Sequence, residues 1–219
     1  MNEMIFFGQA AAVYLFTVVL FYSSREVLAG WMGLLGIMAN IFVAKQVTLF
    51  GLDVTASDIY AVGLYLTLNI IQEFDGREAG NRAMKIAFGF QIGFLALAYL
   101  HLLLQPNGYD ASQTAFEVIL STYPRILAAS LLTLWTVQKW DLMFFQWVKQ
   151  RFSTVSFTFR NLLTLGVSQA LDTLLFTFLA LWGIVGNLGH IILLSFLIKG
   201  TLIALTPLIT YPLRKPVLN

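Results

Sequence analysis

The chain contains no cysteine, and only 11% of its 219 residues are charged. The first absence excludes disulfides, thiol nucleophiles and thiolate metal sites. The second excludes an ordinary soluble domain, in which about a quarter of the residues carry charge. Histidine occurs only at His101 and His190, far apart in sequence, which argues against a zinc site. No phosphate loop, HExxH or GxSxG motif is present, and no Ser/His/Asp set has usable spacing. Enzymatic function is therefore not expected, and no cofactor is implied. The formal charge of +2 is too small to imply nucleic acid or an acidic substrate as partner.

What the chain has instead is apolar length, with 58% hydrophobic residues gathered into runs at 4–22, 27–49, 54–74, 83–104, 114–140, 160–183 and 188–212. Each reaches or approaches the roughly 20 residues that span a bilayer as helix. The expected fold is all-α, a polytopic membrane helix bundle of seven spans. The first run has no basic start and no clear small-residue cleavage site, so it reads as a retained helix rather than a signal peptide.

The basic residues fit this count. With seven spans, one side receives Arg25, then Arg77, Arg82 and Lys85, then Lys149, Arg151 and Arg160, then Arg214 and Lys215. The opposite side receives none of these and collects Glu3, Asp53, Asp58, Asp110 and Glu117. The positive-inside rule then predicts a cytoplasmic carboxyl terminus and an external amino terminus.

Polar residues inside the runs are the candidates for function, because each is costly in lipid. Residues 160–183 carry Ser168, Gln169, Asp172 and Thr173 at mid-run, and the three- and four-residue spacings put Ser168, Gln169 and Asp172 on one face. Lys199, near the centre of the last run, is too deep to snorkel and is the expected partner of Asp172. Asn40 lies deep in the second run and Asn69 and Glu73 share a face of the third, where Glu73 has Arg77 four residues on as a structural partner. Pro124 is expected to kink the fifth run, and Arg125 beside it requires an anion or free carbonyls, supplied by Glu117, Asp110 or a ligand. Residues 137–152, mixing aromatic with charged side chains, read as an interfacial helix extension.

From Asn40 onward the chain resembles the queuosine precursor transporter family, a branch of the vitamin uptake transporters. The resemblance is carried by Asn40 followed by Gly51, by LNIIQEFDG (68–76) followed by Arg82, and by SQALDTLLF (168–176) flanked by Asn161 and Lys199. The departures are Leu68-Asn69 where the family pattern has Thr-Asp, and Val62 where it has proline. With no carboxylate at 69, no proton-coupling role is carried over to that position. The resemblance implies a six-helix transporter core at 27–213 preceded by an extra helix at 1–26. It also implies import, across the cell's inner membrane, of queuine or of 7-cyano- or 7-aminomethyl-7-deazaguanine for tRNA-modification salvage. The substrate-binding set it suggests is Asp172, Gln169, Lys199, Asn40, Asn69, Glu73 and Arg125. A carboxylate such as Asp172 suits the paired N–H donors of a guanine-like edge. The expected partners are this small molecule and membrane lipid. A homo-oligomer stays open, and ATP-binding partner subunits are not implied. The alternative is a seven-helix retinal protein with Lys199 as attachment lysine, although Ser195, not aspartate, lies four residues before it.

Overall fold

The computed structural model describes residues 1–43, 45–55, 57–120, 124–183 and 188–213. The elements are helices α1 (Asn2–Phe21) and α2 (Arg25–Phe42), strands β1 (Gln46–Leu49) and β2 (Leu52–Thr55), then α3 (Asp58–Asp75), α4 (Arg77–Leu102), α5 (Gln113–Leu120), α6 (Pro124–Arg151) and α7 (Phe157–Phe176). A π-helical turn (Thr177–Leu181) continues α7, and α8 (Leu188–Leu205) and α9 (Pro207–Thr210) complete the chain. The protein is a helical bundle, and each of the seven apolar runs contains at least one of these helices. Among the described residues, four stretches are long and apolar enough to cross a membrane by length and composition: Asn2–Phe21, Arg77–Leu102, Phe157–Ala180 and Ile191–Thr210.

Helix α3 is the axis of the bundle. Every residue from Asp58 to Gln72 is buried, and α1, α2, α4, α6, α7 and α8 all pack against it. A helix apolar on all sides except for a few polar positions can be satisfied only in this place. Its end at Gly76, where φ is 88°, is a position that favours glycine. There Lys149 donates to the carbonyl of Gln72 at 3.2 Å and to that of Glu73, a cation on the carbonyl end of the helix dipole. Arg25, opening α2, reaches Asp75 at 2.7 Å and fixes the same end of α3 to its neighbour.

Two expected boundaries change. The second and third runs are interrupted by an antiparallel hairpin in which Val47 pairs with Val54 and Thr48 with Asp53. Phe50 and Gly51 both have positive φ, 51° and 78°, which the tight two-residue turn of a hairpin demands. Lys45 accordingly sits exposed in the connection before β1 rather than at a helix end. The amino terminus of α1 holds the hairpin. Asn2 donates to the Thr48 carbonyl at 3.2 Å, and the Phe50 amide donates to Glu3 Oε1 at 3.1 Å. Residues 121–123, on which the expected kink at Pro124 depends, lie outside the described residues, and α6 is described from Pro124.

Without a hydrophobic force between helices in lipid, close packing falls to small residues. Helices α2 and α4 meet through Gly33, where an added Cβ would lie 3.2 Å from Phe90 Cβ and 3.3 Å from Ala87 Cα. Gly33→Leu should therefore lower the yield of folded protein, at a cost of about 1–3 kcal/mol typical of overpacking. Gly89→Leu, at an exposed position of α4 with nothing within 4 Å, should be tolerated. Detergent-extracted monodispersity of the two variants, measured side by side, checks this; equal behaviour would mean the α2–α4 contact is not tight.

Candidate functional site: a buried polar column between α3, α7 and α8

Helix α7 begins at Ser156, whose hydroxyl accepts from the Phe159 amide at 3.4 Å, an N-cap that fixes where the helix starts. Its buried positions are Arg160, Asn161, Thr164, Leu165, Ser168, Gln169, Asp172 and Thr173. They repeat at four-residue intervals in two adjacent rows, so one face of α7 is polar over its whole length and turned inward. That face meets α3, and the contacts show the two helices running antiparallel: Asp172 faces the start of α3 and Arg160 its end.

At the first level an ammonium lies between two carboxylates. Lys199 Nζ is 2.8 Å from Asp172 Oδ2 and 3.8 Å from Asp58 Oδ1, and it donates to Thr173 Oγ1 at 3.0 Å. The Tyr65 hydroxyl donates to Asp172 Oδ1 at 3.3 Å. All five side chains are buried, so each charge is desolvated and depends on the others. The expected pairing of Lys199 with Asp172 is observed. Asp58, read from the sequence as an outer-side charge, joins it because it opens α3 facing α8.

Gln169 and Asn69 lie further along the same α3–α7 seam. Gln169 donates weakly to the Ala61 carbonyl at 3.5 Å, and its Oε1 has no partner. Asn69 donates to Asn161 Oδ1 and to Thr164 Oγ1, both at 3.1 Å, while Asn161 donates to Thr206 Oγ1 at 3.2 Å. This chain of amides and hydroxyls ties α3, α7 and the end of α8 together.

Asp141 of α6 enters between these levels. It accepts from Ser168 Oγ, and from Gln72 Nε2 at 3.4 Å. Asp141 and Gln138 are fully buried, so one face of the helix extension expected at 137–152 is turned into the bundle. The spacing carried a usable signal: Leu134, Val137, Leu142, Phe145 and Val148 are buried at helical intervals, and Asp141 shares their stripe.

At the far end Glu73 pairs with Arg160 and lies 3.5 Å from Lys149. Arg160 also donates to the carbonyls of Phe152, Ser153 and Val155. Glu73 thus clamps helix ends, through Arg160 rather than the expected Arg77, and stands away from Asp172. Asn40 accepts from Ser130 Oγ where α2 meets α6, and no contact brings it to Asp172. Arg125 falls in the first turn of α6, and its side chain lies outside the described residues. Among the described residues, no group of three or more His, Asp or Glu side chains could hold a metal ion.

Such a column of buried, partly paired polar groups inside an apolar bundle is what a pathway for a small polar solute requires. Similarity to known proteins points the same way. The family model described as "Putative vitamin uptake transporter" matches residues 55–212. A "Probable queuosine precursor transporter" of Bacillus subtilis (strain 168) is 29% identical over 214 residues, covering 95% of this chain and 93% of that protein. No solved structure gives a significant match.

Lys199 is the hinge of the first level. Lys199→Met should strand two carboxylates and lower membrane abundance, since breaking a buried pair costs about 3–5 kcal/mol. Adding Asp172→Asn should restore abundance above either single variant. Quantitative blotting of membrane fractions checks this, and a double variant no better than Lys199→Met would remove the pair from the fold's support. Matched over 55–212 by its family model, the chain belongs to the vitamin uptake transporter family, as a multi-pass membrane transporter and not an enzyme.

Proposed function

We propose that this transporter imports queuosine precursors: queuine or its 7-cyano- and 7-aminomethyl-7-deazaguanine forms. The observation that carries the reading is Asp172, a buried carboxylate on the polar face of α7, in a chain related to a queuosine precursor transporter. A guanine-like edge presents two adjacent N–H donors, and one carboxylate accepts both. In the structure those acceptor positions are held by Lys199 and Tyr65. Substrate binding exchanges them. Lys199 is not stranded by the exchange, because Asp58 stands 3.8 Å away as its second partner.

Gln169, with a free Oε1 one turn from Asp172, is placed to bond the bicycle's remaining edge. Asn69 is placed to do so from α3. Asn40, Glu73 and Arg125 complete the proposed set as residues met during passage, Glu73 at the exit. The helices are read as a six-helix core at 27–213 with α1 as an added span, seven in all. Arg25, Arg77, Lys149 and Arg160 then mark the cytoplasmic side, and the hairpin and Asp58 the outer side. Reporter fusions after Arg25, Tyr109 and Asn219 should read inside, outside and inside; a cytoplasmic signal at Tyr109 would break this topology.

Asp172→Asn replaces a double acceptor with a group that is half donor, so the paired N–H groups are no longer both met. Leaving a buried donor unpaired costs about 1–3 kcal/mol, or roughly tenfold to a hundredfold in affinity. Uptake of all three labelled compounds, by cells unable to make them and normalised to the amount of protein in the membrane, should fall together. Normal uptake by an abundant Asp172→Asn protein would make Asp172 structural and place recognition elsewhere.

A further inference from the structure

Asp141 is a fully buried carboxylate that the proposed recognition does not use, and its surroundings are unlike those of Asp172. Asp172 is matched by Lys199. Among the described residues no cation lies within ion-pair distance of Asp141, whose partners are one hydroxyl and one amide. Near it in the fold, buried amide groups have unused hydrogen-bonding capacity among the described residues. Gln72 commits its Nε2 to Asp141, which leaves Gln72 Oε1 buried without a partner. Gln138, three residues before Asp141 and hence on the same face of α6, is fully buried with both amide atoms unpartnered. Asp141 thus has two neutral donors but no counter-charge, and among the described residues the amides of Gln72 and Gln138 keep hydrogen-bonding capacity unused. An ammonium group is three donors with no acceptor, and it supplies the missing charge as well.

We propose that Asp141, Gln138 and Gln72 form a second binding station, specific for a protonated amine on the substrate. The station rests on the reading of the protein as a 7-deazaguanine importer and adds to it the discrimination among members of that class. Its place fits. Asp141 is bonded to Ser168, one turn of α7 from Asp172 on the same face, and one turn is a rise of about 5.4 Å. A bicycle whose guanine-like edge is read at Asp172 projects its 7-substituent, from the opposite end of the ring system, towards Asp141. A 7-aminomethyl group carries the ammonium there; a 7-cyano group carries only an acceptor and leaves the carboxylate without a counter-charge.

The test compares the labelled 7-aminomethyl and 7-cyano compounds, each alone and in competition with the other, in the wild type and in Asp141→Asn. The wild type should favour the cationic compound. In Asp141→Asn its apparent affinity should fall about tenfold or more relative to the neutral compound, the scale of a lost hydrogen bond to a charged group. Gln138→Met, which keeps the carboxylate, should shift the ratio the same way by less, and it serves if Asp141→Asn fails to reach the membrane. A proportional loss for both compounds at normal abundance would overturn the station and make Asp141 part of a step common to all substrates. An unchanged ratio, or a wild type that favours the neutral compound, would overturn it too. A wild type that neither moves nor binds either compound would sink the importer reading itself, and the station with it.

Discussion

A single ammonium shared by two carboxylates, with all three side chains withdrawn from solvent, joins the start of α3, the middle of α7 and the middle of α8. In an interior of low dielectric neither the lysine nor either aspartate is stable alone, and the attraction between them is strong for the same reason. This constraint reaches outwards. It sets the height at which α7 meets α3, and from that height the four-residue rows on α7 fall into register with Tyr65, Asn69 and Glu73 on α3. It also leaves one carboxylate in surplus, so the lysine can change partner without being left bare. A device with two such positions is suited to a cycle that must bind and release.

The two ends of the column are built differently. At the Glu73 end the charges are engaged at helix termini: Lys149 on the carbonyls that close α3, and Arg160 on those after α6. Such contacts hold elements in place. In the middle, amide atoms remain without partners at Gln72, Gln138, Gln169 and Asn69, although buried polar groups in folded proteins are nearly always satisfied. Such unmet hydrogen-bonding capacity between the helices is what the proposed site draws on.

The sequence made much of this legible. Long apolar runs announced the helices, and Asp172 and Lys199 announced each other because each is too costly to stand alone at depth. Other features were hidden for physical reasons. Asp58 and Asp141 sit near the edges of apolar runs, where a charge is cheap in water and interface, and only the burial of α3 and α6 shows that these two face inward. Arg160 counted as a boundary charge, yet it is buried against Glu73. The hairpin escaped because Gln46 to Thr55 is about as apolar as a helix end, and its turn places Phe50 rather than asparagine or aspartate at positive φ. The amino-terminal contacts that hold it come from Asn2 and Glu3, more than forty residues away in sequence.

The short distance between the two carboxylates that share Lys199 has an electrical consequence. Moving a full charge across a membrane held at 100 mV is worth about 2.3 kcal/mol, spread over a hydrocarbon thickness of roughly 30 Å. The lysine's contacts, 2.8 Å to Asp172 and 3.8 Å to Asp58, differ by about 1 Å, so a change of partner crosses only a few hundredths of the field. The energy involved, about 0.1 kcal/mol by that arithmetic, is well below thermal energy. The resting potential therefore has almost no grip on the lysine's exchange, and it acts on this protein through whatever charge the passenger itself carries.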